Sequence, residues 1–275
     1  MNTTKDAEKE VIFAILYDFD KTLAPGNMQE QHLISDIGMD PKEFWNLADS
    51  LALSQNADGN LAYMWIILNN SKKTTKQDFI EYGKNIKFFK GVEEWFDRIN
   101  KFGKSLGIKV EHYLISSGIA EMIEGMSIYK EFTKIYANRF MLNSNDVAFW
   151  PAQVVNYTGK TQFLYRISKG CLQENDNTVN AKTEKFRIPF TNMVYFGDGF
   201  SDVPCMSILQ KYGGYAVAVY TPNKNGDAGI AEKLLNDGRV NAIAPTDYSE
   251  GSKIDKYIKT LLLKVKTDND LKKIT

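Results

Sequence analysis

An apolar run, Val11–Ile12–Phe13–Ala14–Ile15–Leu16, leads straight into the stretch YDFDKTLAP (17–25). A run with no polar alternation needs cover on both faces, which is the situation of a parallel strand between two helical layers. Two carboxylates, Asp18 and Asp20, follow it one residue apart. Charges at the end of a buried strand cost free energy unless something neutralises them. The chain must therefore build a sheet covered on both faces and place charged chemistry at a strand end.

Similar runs recur at 109–117, 193–198, 215–220 and 240–245, with a weaker one at 134–140. Helical patterns separate them at 91–102, 120–132, 160–169, 203–211, 228–236 and 253–265. This alternation predicts an α/β fold with a Rossmann-like, doubly wound parallel sheet. Residues 146–157 alternate and carry Pro151, as in a hairpin flanking the sheet. Residues 24–90 contain no strand pattern and read as helices, with Thr75 and Asp78 as a start signal. The expected organisation is a core of residues 1–23 and 91–275 with an inserted helical cap domain, 24–90. The polar tail KTDNDLKKIT is expected to fray.

Basic and acidic residues balance at 34 each, so no net field draws nucleic acid or an anionic membrane. No apolar run approaches a membrane span, and the start MNTTKDAEKE lacks the apolar stretch of a signal peptide. Two cysteines, Cys171 and Cys205, have no zinc-type spacing. The expectation is a cytoplasmic protein, a monomer or small homo-oligomer, with no nucleic-acid or membrane partner.

In open parallel sheets, ligands bind beyond the carboxyl ends of the strands. Those ends carry Asp18, Asp20 and Thr22; Ser116, Ser117 and Gly118; and Asp198, Gly199 and Asp202, while Lys160 opens a helix. Asp198 and Asp202 alone would read as turn residues, and Lys160 alone as a solvated lysine. Pooled in one cleft, four carboxylates repel unless a cation holds them. All-oxygen ligation favours Mg²⁺, and neither His32 nor His112 lies near these motifs to suggest zinc. Ser116, the backbone of Ser117 and Gly118, and Lys160 suit a phosphate dianion. Asp18 then serves as nucleophile, and Asp20 as general acid and later base.

With these residues in order, the sequence resembles the haloacid dehalogenase (HAD) superfamily of Mg²⁺-dependent phosphohydrolases. The matched motifs are DFDKT (18–22), Ser116, Lys160 and GDGFSD (197–202). The resemblance implies an aspartyl-phosphate on Asp18 and metal ligation by Asp18, the Asp20 backbone carbonyl and Asp198, with Asp202 as ligand or anchor. It implies phosphoryl binding by Ser116 and Lys160, and a first loop fixed by Thr22. FFKGVEEWFDRI (88–99), ANRF (137–140) and GKTQFL (159–164) are similar to the phosphoserine phosphatase-like subgroup. Three departures stand out. Ser117 replaces a glycine, a cap glutamate has only Glu30 and Gln31 as loose candidates, and residues 24–90 contain no arginine.

The expected activity is hydrolysis of a small phosphorylated metabolite. Transfer or mutase chemistry, or a catalytically silent phosphate-binding scaffold, are the alternatives. Dehalogenation does not need Asp20, Asp198 and Asp202. Cap aromatics Phe44, Trp45, Tyr63 and Trp65 are read mainly as core of the insert, His112 as structural and Cys205 as packing.

Overall fold

The computed structural model describes residues 10–183, 186–222 and 228–274; the polar start MNTTKDAEK lies outside them. In chain order the elements are β1 (Val11–Tyr17), α1 (Leu33–Asp36), α2 (Pro41–Gln55), α3 (Gly59–Asn70), α4 (Lys76–Lys84), α5 (Val92–Ser105), β2 (Ile108–Ile119) and α6 (Ala120–Glu124). Then follow β3 (Lys134–Leu142), β4 (Ala148–Gln153), α7 (Lys160–Lys169), β5 (Met193–Gly197), α8 (Val203–Lys211), β6 (Tyr215–Tyr220), α9 (Ile230–Asn236), β7 (Ala242–Pro245) and α10 (Lys253–Ile274). Short 3₁₀ turns, Met28–Gln31 among them, join several of these.

The sheet order is β4-β3-β2-β1-β5-β6-β7. All neighbours pair in parallel except β3 and β4; the segment 146–157, expected as a hairpin, supplies the single strand β4, which pairs antiparallel with β3 at one edge. β1 is central, and its period-two alternation divides the core. Phe13, Ile15 and Tyr17 face one side with Trp95 and Phe96 of α5 and Ile254 and Ile258 of α10. Ala14 and Leu16 face the other with Phe163 and Leu164 of α7 and Met206 and Leu209 of α8. An apolar run without alternation is thus the sequence of a strand buried twice. Cys205 packs in this second layer, as expected. His112 is structural: burial lowers its pKa to about 3, and its ring nitrogens meet Tyr17 Oη and Asn100 Oδ1.

Residues 24–90 are helical throughout α1 to α4, and the Thr75–Asp78 capping box forms. Two glycines bring this segment onto the rest of the chain. A Cβ on Gly83 of α4 would lie 1.8 Å from the Met122 carbonyl oxygen, and one on Gly125 would lie 2.0 Å from that of Ile80. Backbone contact this close admits only glycine.

Four expectations need correction. The helix expected over 120–132 stops at Glu124, and a 3₁₀ turn, Tyr129–Glu131, follows; Gly125 is committed to the contact with Ile80. The tail does not fray but continues α10 to Ile274, with i,i+4 pairs Lys264–Asp268 and Lys266–Asp270 on its exposed face. The strand expected over 109–117 does not stop there: β2 runs on through Gly118 to Ile119, with a bulge against β3 between Ile115 and Ile119. Trp65 is 53% exposed and is not core, whereas Phe44 and Tyr63 are buried and Trp45 is half-buried.

Candidate active site

β1 ends at Tyr17, and the next residue, Asp18, donates its backbone N–H to the Phe196 carbonyl of β5 at 2.8 Å. That bond brings the ends of β1 and β5 level. β5 ends in Gly197, where a Cβ would lie 2.3 Å from an Asp202 carboxylate oxygen. The glycine therefore lets Asp202 fold back under the strand end. Carboxylate oxygens of Asp18, Asp198 and Asp202 lie within 4.8 Å of one another.

Lys160, the first residue of α7, is buried between two of them. Its Nζ donates to Asp18 Oδ1 at 2.8 Å and to Asp202 Oδ1 at 2.9 Å. Burial works against its charge, but the two carboxylates outweigh burial and hold its pKa above the ordinary lysine value. Asp202 is saturated. Its Oδ1 also accepts from Tyr195 Oη at 2.8 Å, and its Oδ2 from the backbone N–H groups of Asp198 and Gly199 at 3.1 and 3.4 Å. It anchors the Asp198–Gly199 turn and Lys160.

Charge is in surplus here. Burial first, then repulsion from Asp202, push Asp18 well above the ordinary carboxylate range, with Lys160 opposing. Burial and Asp202 raise Asp198 to about 6, against the pull of Lys21 and Lys160. Asp20 stands apart from the trio. The Met28 N–H donates to its Oδ1 at 2.7 Å, and burial outweighs this bond to lift its pKa to about 7. Thr22 holds the first loop through its carbonyl, which accepts from Tyr248 Oη at 2.9 Å.

The bulged end of β2 completes the cleft. Ser116 is fully buried, and its Oγ accepts from the Gly118 N–H at 2.9 Å. The neighbouring Ser117 hydroxyl donates to the Val155 carbonyl at 2.7 Å. The Ser117 carbonyl accepts from Tyr63 Oη and Asn138 Nδ2. Met28 covers this end: its thioether accepts from the Ile119 N–H at 3.2 Å and leaves no room for a Cβ on Gly118.

Sequence reasoning missed Tyr195, Asn138, Met28 and Gln29. Asn138 ties three elements, since its Oδ1 also accepts from the Val155 N–H at 2.6 Å. Its place in ANRF was the available signal. The two loose cap candidates are occupied locally. Glu30 Oε1 accepts from Asn27 Nδ2 and Trp45 Nε1, and Gln31 Oε1 accepts from the Lys87 N–H.

The fold is that of the HAD hydrolases. The chain superposes on a phosphoserine phosphatase solved as a phospho-aspartyl intermediate analogue, with TM-score 0.57 and 16% identity, covering 91% of this chain and 99% of that one. A probable phosphoserine phosphatase from Vibrio cholerae gives TM-score 0.60 at 13% identity, over 95% of this chain and 68% of that one. A HAD family hydrolase from Salmonella enterica serovar Typhi gives 0.56 at 15%, over 84% and 66%. No family model matches the chain. An uncharacterized protein of Borreliella burgdorferi is 30% identical over 282 residues, covering 91% of this chain and 96% of that protein. The chain belongs to the same family as that protein.

Proposed function

We propose that this protein is a Mg²⁺-dependent phosphomonoester hydrolase that works through an aspartyl-phosphate on Asp18. The observation that carries the reading is the trio Asp18, Asp198 and Asp202 around Lys160, with Asp18 and Asp202 buried and Asp198 half-buried, and with Asp20 beside it but outside it. The trio fits a hard divalent cation. It offers only oxygen donors, and burial, then like charge, has raised Asp18 and Asp198. Asp18 and Asp198 would hold the ion, with the Asp20 backbone carbonyl, while Asp202, already saturated, anchors the turn. Bound there, Mg²⁺ would supply the positive charge that lets a carboxylate approach a phosphate dianion.

The chain's own residues account for the remaining chemistry. The Asp18 carboxylate attacks phosphorus, and the bond from phosphorus to the alcohol oxygen breaks. Asp20, with a pKa near 7, still carries a proton near neutrality and gives it to the departing oxygen. As a carboxylate it then accepts a proton from the water that attacks the aspartyl-phosphate, and Asp18 is released. Lys160 offsets negative charge on Asp18, the Ser116 hydroxyl and the Ser117 backbone hold phosphoryl oxygens, and the Gly118 N–H, bonded to Ser116 Oγ, orients that hydroxyl. The helical segment 24–90 acts as the cap, so the substrate is a small phosphorylated metabolite. Two free cysteines, one buried, suit a cytoplasmic protein. Among the described residues no helix is long and apolar enough to cross a membrane.

Purified protein with Mg²⁺ should release phosphate from 4-nitrophenyl phosphate, stop with EDTA, and lose about 10⁴-fold or more of kcat in Asp18→Asn. Full activity in Asp18→Asn, or turnover indifferent to EDTA, would overturn the mechanism.

A further inference from the structure

Resting on the phosphatase reading, the side chains above Asp20 carry information about the substrate. Gln29 is 1% exposed, and its side-chain oxygen has no hydrogen-bond partner. Buried amide oxygens are almost always paired, because leaving one dry and unpaired costs free energy. Gln29 follows Met28, whose N–H holds the Asp20 carboxylate. Its side chain meets the Tyr63 phenol, which donates to the Ser117 carbonyl beside the phosphoryl-binding residues and lies within electrostatic reach of Asp20. Gln29 thus stands between the leaving-group acid, the cap helix α3 and the bulge of β2.

The flanking residues cannot serve instead. Glu30 accepts from Asn27 and Trp45, and Gln31 from Lys87. The cleft also has no buried cation to spare. Among the described residues the buried cationic side chains are Lys160 and Arg166. Lys160 is shared by Asp18 and Asp202, and Arg166 donates to the carbonyls of Gln173, Glu174 and Asp176. Residues 24–90 contain no arginine, and none of their lysines is buried. A substrate carboxylate enclosed here would be an uncompensated buried charge. Gln29 itself is an uncharged amide, so its oxygen suits a neutral donor.

We propose that Gln29 is a specificity-determining residue whose side-chain oxygen accepts a hydrogen bond from an uncharged hydroxyl on the alcohol part of a phosphomonoester lacking a carboxylate. The substrate supplies the donor that the fold withholds. A site built around such an acceptor rejects the analogue without the hydroxyl more strongly than a merely apolar pocket would.

The test compares 2-hydroxyethyl phosphate with propyl phosphate, which differ by a hydroxyl at nearly constant size, with phosphoserine as the carboxylate-bearing arm. In the wild type with Mg²⁺, kcat/KM for 2-hydroxyethyl phosphate should exceed that for propyl phosphate about tenfold or more. It should also exceed that for phosphoserine. Gln29→Met should bring the first ratio towards one, while its Tm stays level or rises because a buried unpaired acceptor is gone. Gln29→Glu, which keeps the shape and adds a charge, should turn the preference towards 2-aminoethyl phosphate. A wild-type ratio near one, a ratio unmoved in both variants, or phosphoserine as the best of the three would overturn the assignment. A wild type that releases phosphate from none of these esters nor from 4-nitrophenyl phosphate would instead overturn the phosphatase reading, and the assignment with it.

Discussion

Glu111 and Asp18 are buried carboxylates on adjacent parallel strands, Glu111 beside Ala14 of β1 and Asp18 just past the end of β1. Burial alone would raise the pKa of both. At Glu111 it is outweighed: Arg187 binds both oxygens at 2.6 and 2.8 Å, Tyr113 donates at 2.6 Å, Lys109 lies at 3.1 Å, and the pKa falls to about 2. At Asp18 one cation is shared with Asp202, Asp198 adds further repulsion, and the pKa stays high. Both are closed to solvent, but Glu111 is compensated and less deeply enclosed, and Asp18 is neither. A fully paired acid is an ordinary structural element, whereas a surplus of like charge at a strand end sets a candidate functional site apart.

The comparison breaks first at Lys160. Lys160→Met leaves Asp18 and Asp202 without their shared cation and should cost about 3–5 kcal/mol of stability at pH 8. Phosphate release should fall to background. Urea unfolding at pH 8 and at pH 5 checks this, and the loss should be smaller at pH 5, because Asp18, held well above the ordinary carboxylate range by burial and then by Asp202, is more readily protonated there. A variant as stable as the wild type at pH 8 would mean that the trio carries no surplus charge. Glu111→Gln is the counterpart. Arg187 is one-third exposed, so solvent screens part of the pair, and the expected cost is about 1–3 kcal/mol. Turnover of 4-nitrophenyl phosphate by the folded variant should be unchanged; a large fall would tie the two regions together.

The smallest effect is the response to Mg²⁺. Asp198, raised to about 6, contributes stability below the ordinary carboxylate value that is lost as pH rises through 6. Asp20, raised to about 7, acts in the same direction through pH 7. The metal-free protein should therefore weaken from about pH 4 to pH 7 at these groups. Mg²⁺ should raise Tm more at pH 8 than at pH 5, by about 2–4 °C for each kcal/mol relieved. Equal shifts at the two pH values would count against ligation by Asp18 and Asp198.

Much of the fold was legible because its signals are local. The unalternating run 11–16 meant a twice-covered strand, and the Thr75–Asp78 pair marked the start of α4. Failures came where distant backbone intervened. Gly125 ends a helix that the pattern would continue, because Ile80 approaches it. The α10 tail looked frayed because its polarity was read without its i,i+4 charge pairing.

By itself the sequence determined which functional groups end the strands. Asp18 and Asp20 share one loop, Asp198 and Asp202 share another, and adjacency in the chain guarantees adjacency in space. Tertiary structure alone decided how they pair. Lys160 reaches Asp18 across 142 positions, Asp202 is saturated by Tyr195 and its own turn, and Asp20 is held apart by Met28. The helical segment 24–90 shows the same division. Trp45 reaches Glu30 from another helix and leaves Gln29, a residue with no sequence signal, as the one with an unpaired oxygen. Packing assigns hydrogen-bond partners between segments far apart in the chain, and no local pattern records that assignment.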